Sequence, residues 1–238
     1  SFAGVGIRVA ESMRDLKLEF SNISSFSEEV LIQELVKGVH ASVSFLATRR
    51  DVEILMINEQ LLGLHLLFQR EPFGYCGNIV PLQVDASIFK KCSKIVKKIA
   101  LHFGLKGSNG IDLVISREGI PYVIEVNPRF QGTLECVEKV LGVNLVELHI
   151  NACLYNMLPQ IRKTLSTFCT RLILYAPERV IVPDLTVFPE ARDIPIPRCI
   201  IEKGEPLCSV VAEGKSRNLA FNNAKKIAET IYSRLQLA

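Results

Sequence analysis

Alternating apolar and polar positions predict strands in the first part of the chain. The segment "ASVSFLATR" alternates small and apolar residues, and "VEILMINEQLLGLHLLFQ" is expected to form two strands with a turn near Asn58-Glu59. Upstream, "EEVLIQELV" (Glu28 to Val36) is predicted to be a strand ending near Lys37-Gly38, and "GVGIRVA" a glycine turn entering a short strand. The N-terminal region is therefore predicted to be mainly extended.

Helical periodicity begins after this region. Asp85 is suited to cap a helix that Gly104 would end, and its apolar positions recur at steps of four and three: Ile88, Cys92, Ile95, Ile99 and Phe103. A second helical stretch, "LECVEKVLGVNLVELHINACLYN", is expected to break at Gly142-Val143-Asn144, and a last helix is expected to start near Ser216. These segments predict helices on both sides of a further pair of strands.

That pair consists of "GIDLVIS" and "IPYVIEVN", joined by "REG" as a short hairpin-like turn. After about residue 160 prolines cluster and short strands follow, so the tail is expected to be a strand-rich lobe packed on the rest. The order of elements indicates an α+β or α/β protein and excludes a solenoid or an all-β sandwich.

Composition narrows the function classes. The chain has 238 residues, of which 48% are hydrophobic and 22% charged, and its net charge is +3. This is an ordinary globular composition, and the charge is too weak to indicate a nucleic-acid or membrane partner. The N-terminus lacks the apolar segment of a secretory signal.

Seven cysteines are scattered with no CxxC spacing, which predicts a reduced, cytoplasmic protein without a zinc site. Most are expected to be buried. Cys76 in "YCGN" has two interpretations, a reactive thiol facing a substrate or a buried small residue, and the second is favoured.

The stretch "YVIEVNPRFQGTLE" places polar side chains at a strand end. Glu125 and Asn127 are two apart and share a face, and hairpin pairing would bring Asp112 opposite residues 123–125. Two carboxylates and an amide oxygen suit Mg²⁺ or Mn²⁺, and Arg129 offers a fork for a phosphate or carboxylate. The alternative is a surface salt bridge between Glu125 and Arg129.

The segment "DLVISREGIPYVIEVNPRFQGTLE" resembles the metal- and phosphate-binding strand pair of the ATP-grasp superfamily, in the branch of biotin carboxylase and carbamoyl phosphate synthetase. The resemblance implies an α+β ATP-grasp fold with a small strand-rich C-terminal lobe. It also implies ATP as cofactor, with Mg²⁺ (or Mn²⁺) on Asp112, Glu125 and Asn127. Arg129 would contact phosphate or an anionic intermediate, and Gln131 would line the substrate side.

Two further motifs support the resemblance. "VLIQELVKG" is similar to the hinge whose end receives adenine, and His40 occupies the position where the family often places a ribose-binding Glu. "SFAGVGIRVA" is similar to the glycine-rich loop over the phosphates. The nucleotide-binding positions that these motifs imply are Gly4, Gly6, Gln33, Glu34, Leu35, Val36 and His40.

The resemblance also has departures. The family's phosphate-binding lysine and a preceding domain of about 100 residues are not in the sequence, so we expect it to lack the N-terminal part of a longer protein. Where some ligases place an arginine before the first metal ligand, Asn109 is the nearest polar candidate. The implied divisions are a lid segment at 1–38, a core with the metal site at 39–158 and a C-terminal lobe at 159–238.

The function implied by the resemblance is that of an ATP-dependent carboxylate–amine ligase acting through an acyl phosphate on small molecules. The alternatives are a bicarbonate-using carboxylase of the same fold and a catalytically inactive nucleotide-binding regulatory protein. The C-terminal lobe would complete the substrate side or form a homodimer interface.

Overall fold

The computed structural model describes residues 4, 6–24, 29–161 and 166–238. Within them, one sheet of eight strands runs through the molecule in the order β5-β4-β1-β2-β3-β6-β10-β8, and neighbouring strands in it pair antiparallel. These strands are β1 (Gly38–Ala47), β2 (Val52–Leu62), β3 (Tyr75–Val80), β4 (Gly107–Ser116), β5 (Pro121–Asn127), β6 (Phe168–Tyr175), β8 (Ala191–Arg192) and β10 (Pro206–Gly214). A second sheet of three short strands joins β7 (Val180–Ile181), β9 (Ile200–Ile201) and β11 (Gln236–Leu237).

Helices pack on both faces of the large sheet. Two of them, α2 (Ala86–His102) and α5 (Arg217–Tyr232), cover one face. Their buried side chains belong to two core clusters, and both clusters contain strand side chains from the same face of the sheet. The opposite face carries α3 (Leu134–Leu141) and α4 (Leu145–Tyr155) over a third core cluster. The α+β prediction is confirmed.

The predicted helix ends are also confirmed. The side chain of Asp85 accepts a hydrogen bond from the Ile88 amide at the start of α2, and Ser216 does the same for Leu219 at the start of α5. The predicted break falls between α3 and α4, where Gly142 has φ +67° and ends α3 in a left-handed conformation.

Several predicted strands are wrong. Residues 29–37 have no regular secondary structure, and Glu28 lies outside the described residues. Asn58-Glu59 is no turn, since β2 continues through it to Leu62. Residues 7–10 form no strand, and the unpredicted helix α1 (Met13–Ser24) follows them. Its apolar residues Met13, Leu18 and Phe20 are exposed, so no buried stripe marked it in the sequence.

The strand-rich tail adds β6, β8 and β10 to the main sheet, and its other strands, β7, β9 and β11, form the small second sheet. β6 pairs with β3, and β10 pairs with β6, across the proposed boundary near residue 158. Side chains from the tail therefore reach the same sheet face as those from β1 and β4. Within the described residues, no helix combines the length and apolarity needed to cross a bilayer.

Candidate active site

A row of polar side chains crosses the face of the sheet that carries α3 and α4. Strand register aligns Glu125, Asp112, Ser42 and Asn58 across β5, β4, β1 and β2. One pleat further along β2, register aligns Gln60, Asn78 and Arg171 across β2, β3 and β6. Because side chains alternate between faces, both sets point to one side, which we call the site face.

Asp112 and Glu125 are direct cross-strand neighbours, as the sequence predicted. The Nδ2 atom of the buried Asn127 side chain donates to Asp112 Oδ2 at 3.2 Å. The Gln60 side-chain amide, which points to the same face, lowers the pKa of the Asp112 carboxyl. The three predicted metal ligands are thus brought together at the edge of the site face.

The pKa of Asp112 is raised to about 6, chiefly by burial; the Gln60 side-chain amide acts to lower this pKa, and the negative charge of Glu125 acts to raise it. Asp112 is half-buried and Glu125 beside it is exposed. Two neighbouring carboxylates are a donor set that a divalent cation stabilises, and oxygen ligands are those that Mg²⁺ prefers. No group of three or more His, Cys, Asp or Glu side chains in the described part of the chain forms a metal cluster. The site that fits Mg²⁺ is this pair of carboxylates with the Asn127 amide.

Arg129 and Gln131 lie in the loop between β5 and α3. Arg129 is exposed, and its NH2 group donates to Asn127 Oδ1 at 3.2 Å. Gln131 Nε2 donates to the carbonyls of Asn127 at 3.2 Å and Arg129 at 2.6 Å. Both residues therefore lie beside Asn127, one of the three predicted metal ligands.

Asn109 is not brought to this site. It lies an odd number of positions before Asp112 on β4, opposite Phe45, so it belongs to the face covered by α2. Its buried side chain donates to the carbonyls of Lys106 and Gly107 and closes the turn before β4. The prediction of a catalytic role for Asn109 is corrected on these grounds.

A cleft of about 500 Å³ opens where residues 35–40, the predicted hinge, meet the end of β4. Its walls come from Leu35, Val36, His40 and other residues of 35–40, together with residues 115–117. Burial lowers the pKa of His40, which keeps the imidazole neutral at pH 7 and able to hydrogen-bond a hydroxyl. The cleft has the volume of a small-molecule site. Gln33 and Glu34 precede it and are exposed.

The glycine-rich segment lies above the same end of the sheet. Gly4 has φ +85°. A Cβ at Gly4 would stand 1.9 Å from the Phe73 carbonyl oxygen, so the Gly4 backbone packs directly against the backbone of Phe73. The Phe73 ring in turn meets His40 edge to face at 6.3 Å. Gly6 also has φ +85°, with open space around it. Residues 1–3 and 5 of this motif lie outside the described residues.

Three site-face residues were missed from the sequence: Gln60, Tyr75 and Arg171. The Tyr75 hydroxyl donates to Asn78 Oδ1, and Arg171 NH1 donates to the Gly132 carbonyl at 3.2 Å. The spacing of Asn58 and Gln60 within an apolar strand was the available signal for Gln60, but it was interpreted as a turn. Cys76 is fully buried, as expected, and burial raises its pKa.

Comparison with known proteins agrees with this geometry. The model of the ATP-grasp domain matches residues 1–133, more than half of the chain. The fold is that of an α+β protein of the ATP-grasp type. The chain belongs to the ATP-grasp family.

Among curated relatives, an uncharacterized protein of Methanocaldococcus jannaschii is 28% identical over 222 residues, 91% of this chain and 50% of that protein. Tyramine–L-glutamate ligase of the same organism is 32% identical over 111 residues, 46% of this chain and 32% of the ligase. The carbamoyl phosphate synthase large chain of Clostridium botulinum is 31% identical over 150 residues, 61% of this chain and 13% of that protein. The chain thus spans half or less of these relatives.

Solved structures share the fold. An L-amino acid ligase from Bacillus licheniformis superposes with a TM-score of 0.72 at 14% identity, over 96% of this chain and 61% of that one. The biotin carboxylase domain of 2-oxoglutarate carboxylase from Hydrogenobacter thermophilus, in complex with MgADP and bicarbonate, gives 0.69 at 14%, over 100% and 56%. At these identities the likeness establishes the ATP-grasp fold and no substrate.

Proposed function

We propose that this chain carries the ATP site of a ligase that joins a carboxylate to an amine through an acyl phosphate. The observation that carries the proposal is the shared site face: the cleft at the hinge and the Asp112–Glu125 pair lie on the same two strands, β1 and β4, and their neighbour β5. ATP would span them, with adenine in the cleft and its phosphates at the carboxylates.

Each end of the site has a separate task in this proposal. Asp112, Glu125 and Asn127 are the residues that would hold Mg²⁺ or Mn²⁺. The metal, when bound, would neutralise the phosphate charge. Arg129, which is exposed beside Asn127, would bind a transferring phosphoryl group or the anionic acyl phosphate.

The reaction needs no side-chain nucleophile. A substrate carboxylate attacks the γ-phosphate and forms an acyl phosphate and ADP, and an amine then displaces phosphate to form the amide. The chain contributes positioning and charge stabilisation. Gln131 is held against the backbone of the loop beside the metal ligands, where it would line the side from which the substrate enters.

The experiment is a screen of the full-length protein for ADP release. Pools of carboxylic acids are combined with pools of amines, and bicarbonate is tested alone as a separate arm. The proposal expects ADP release that requires both an acid and an amine and is accompanied by amide formation. ADP release with bicarbonate alone would assign the carboxylase reaction, and ATP binding without turnover in every arm would contradict ligase activity.

A further inference from the structure

The side chains of Arg129 and Gln131 depend on the loop that carries them, residues 128–133 between β5 and α3. Arg129 donates from its two NH groups to Asn127 Oδ1 and to the Phe130 carbonyl. Gln131 donates to the carbonyls of Asn127 and Arg129. Among the described residues, the hydrogen bonds of both side chains therefore end on the loop or on Asn127. The two side chains move with the loop, so their position is set by whatever holds the loop.

Phe130 joins the middle of this loop to α4. The centroid of its ring lies 4.8 Å from that of the His149 ring, and the two ring planes are tilted by 41°. Aromatic rings attract each other at centroid separations of about 4.5–7 Å, and burial of their apolar surface adds to this attraction. The loop therefore rests on α4 through the contact between these two side chains.

Two polar contacts fix the His149 ring. Its Nδ1 atom accepts a hydrogen bond from the Ser108 backbone N–H at 2.9 Å. In a neutral imidazole one nitrogen accepts and the other carries the proton, so the proton lies on Nε2. Nε2 is 3.6 Å from Cys153 Sγ, one turn further along α4. Rotation of the ring would break the bond to Ser108, so the start of β4 sets the orientation of the ring.

Gly107, the first residue of β4, allows α4 to approach this closely. It has φ +66°, and a Cβ there would stand 2.4 Å from His149 Nδ1 and 2.7 Å from Cys153 Sγ. Asp112 lies on the same strand. His149 thus stands between the strand that carries a predicted metal ligand and the loop 128–133.

The end of the loop next to α3 has separate anchors. The Thr133 hydroxyl lies 3.1 Å from Ser44 Oγ on β1, and Arg171 NH1 donates to the Gly132 carbonyl at 3.2 Å. These contacts hold the loop beyond its two site residues, whereas the contact with His149 acts between them.

We propose that His149 is a positioning residue of the ligase, which acts through Phe130 on Arg129 and Gln131. This inference rests on the proposed function. His149 holds the loop against α4 in the position from which the two polar side chains meet the phosphates and the substrate. The predicted metal ligands lie on β4 and β5, outside the loop. Loss of the contact is therefore expected to reduce turnover and to leave Mg-ATP affinity unchanged.

The experiment uses the full-length protein with Mg-ATP and the acid and amine that give ADP release. His149→Ala removes both the ring and the acceptor for Ser108. His149→Phe keeps an aromatic ring beside Phe130 but has no acceptor, so the two variants separate the two contacts. Cys153→Ala is the matched control, because Cys153 lies on the same side of α4 and also borders Gly107.

We expect His149→Ala to lower kcat by about tenfold, because displaced catalytic groups lose their alignment with the reacting atoms. His149→Phe should recover most of that loss, and Phe130→Leu should reproduce it. Combining Phe130→Leu with His149→Ala should lower kcat no further, since both changes break one contact. Mg-ATP affinity should equal that of the Cys153→Ala control in every variant.

A second measurement needs no substrate. Hydrogen exchange followed by mass spectrometry reports the opening of the backbone amides of residues 129–133. Exchange there should be faster in His149→Ala and Phe130→Leu than in Cys153→Ala, and His149→Phe should slow it again. A merely structural histidine would instead give equal losses of melting temperature in His149→Ala and His149→Phe, with kcat and loop exchange as in the control.

Parent-like kcat and loop exchange in Phe130→Leu would overturn the inference, because Phe130 is exposed and its replacement leaves the core intact. Additive losses of kcat in the double variant would overturn it as well, since His149 would then act by another route. Absence of ADP release by the parent with every acid and amine would count against the ligase itself. The exchange measurement alone would then decide whether His149 holds the loop.

Discussion

Gln60 and Asp112 lie on the same face of the sheet with one strand, β1, between theirs, and the Gln60 side-chain amide lowers the pKa of Asp112. Two strand spacings of about 4.8 Å separate their backbones, and a long amide side chain can cover that distance. The small side chain of Ser42 occupies the position directly beside Asp112 on β1 and leaves room for the contact. Gln60 therefore favours the ionised form of Asp112, one of the three predicted metal ligands.

Replacing Gln60 by leucine is expected to weaken Mg²⁺-dependent ATP binding by about tenfold, because Asp112 loses the side-chain amide that favours its ionised form. Calorimetric titration of Mg-ATP measures the effect. Gln83→Leu is the control, since Gln83 is exposed before α2 and away from the site face. Equal affinities in the two variants would show that Gln60 does not act on Asp112.

The second prediction concerns pH. The pKa of Asp112 rises from its usual 3.8 to about 6, so its folded-state value exceeds its unfolded value. Ionisation of Asp112 therefore lowers the free energy of unfolding. This loss is absent below about pH 4, grows between about pH 4 and pH 6, and is complete above about pH 6. In metal-free protein Asp112→Asn should gain stability over the parent as pH rises through this window, by at most about 3 kcal/mol.

Urea unfolding of both proteins between pH 4 and pH 7 measures that difference. Asp51→Asn provides a control of opposite sign, because the Lys97 side chain lowers the pKa of exposed Asp51. A difference between Asp112→Asn and the parent that stays constant with pH would contradict the assignment of a raised pKa.

A third prediction uses Gly110 to move Gln131 without replacing it. A Cβ at Gly110 would stand 2.2 Å from the side-chain carbonyl carbon of Gln131. The flexible Gln131 side chain would therefore move away from its present position. Gly110→Ala should lower ligase turnover by about tenfold while ATP affinity is unchanged, as expected when a positioned polar group is lost. Kinetic measurement of Gly110→Ala, Gln131→Ala and the double variant checks this. Additive effects would indicate that Gly110 acts independently of Gln131.

The fourth prediction concerns the rim of the hinge cleft. A Cβ at Gly38 would stand 2.1 Å from the Ile115 carbonyl oxygen, which is backbone and cannot move without parting β1 from β4. Gly38→Ala is expected to weaken ATP binding and to lower the free energy of unfolding by about 1–3 kcal/mol. Equilibrium ATP binding and urea unfolding measure the two effects. Parent-like ATP affinity would place the nucleotide outside this cleft.

The hairpin β4–β5 was predictable because its information is local. The turn residues set the pairing up to Leu113 opposite Val123, and a one-residue register shift just beyond it places Asp112 opposite Glu125. Arg171 was not predictable in the same way, since its position beside Gly132 depends on β6 pairing with β3, a contact between distant parts of the chain. For residues 29–37 the sequence predicted a strand that the structure does not have. Their composition is strand-like, but no neighbouring strand pairs with them, so they stay irregular.

The most direct test of the central claim is Mg²⁺-dependent ATP binding and ADP release by full-length protein carrying Asp112→Asn with Glu125→Gln. The account predicts that adenosine, which has no phosphates, binds the double variant and the parent equally. The gain in ATP affinity on adding Mg²⁺ and the release of ADP should both be lost. Parent-like Mg²⁺ dependence and ADP release in the double variant would contradict the placement of the metal and phosphates at the Asp112–Glu125 pair.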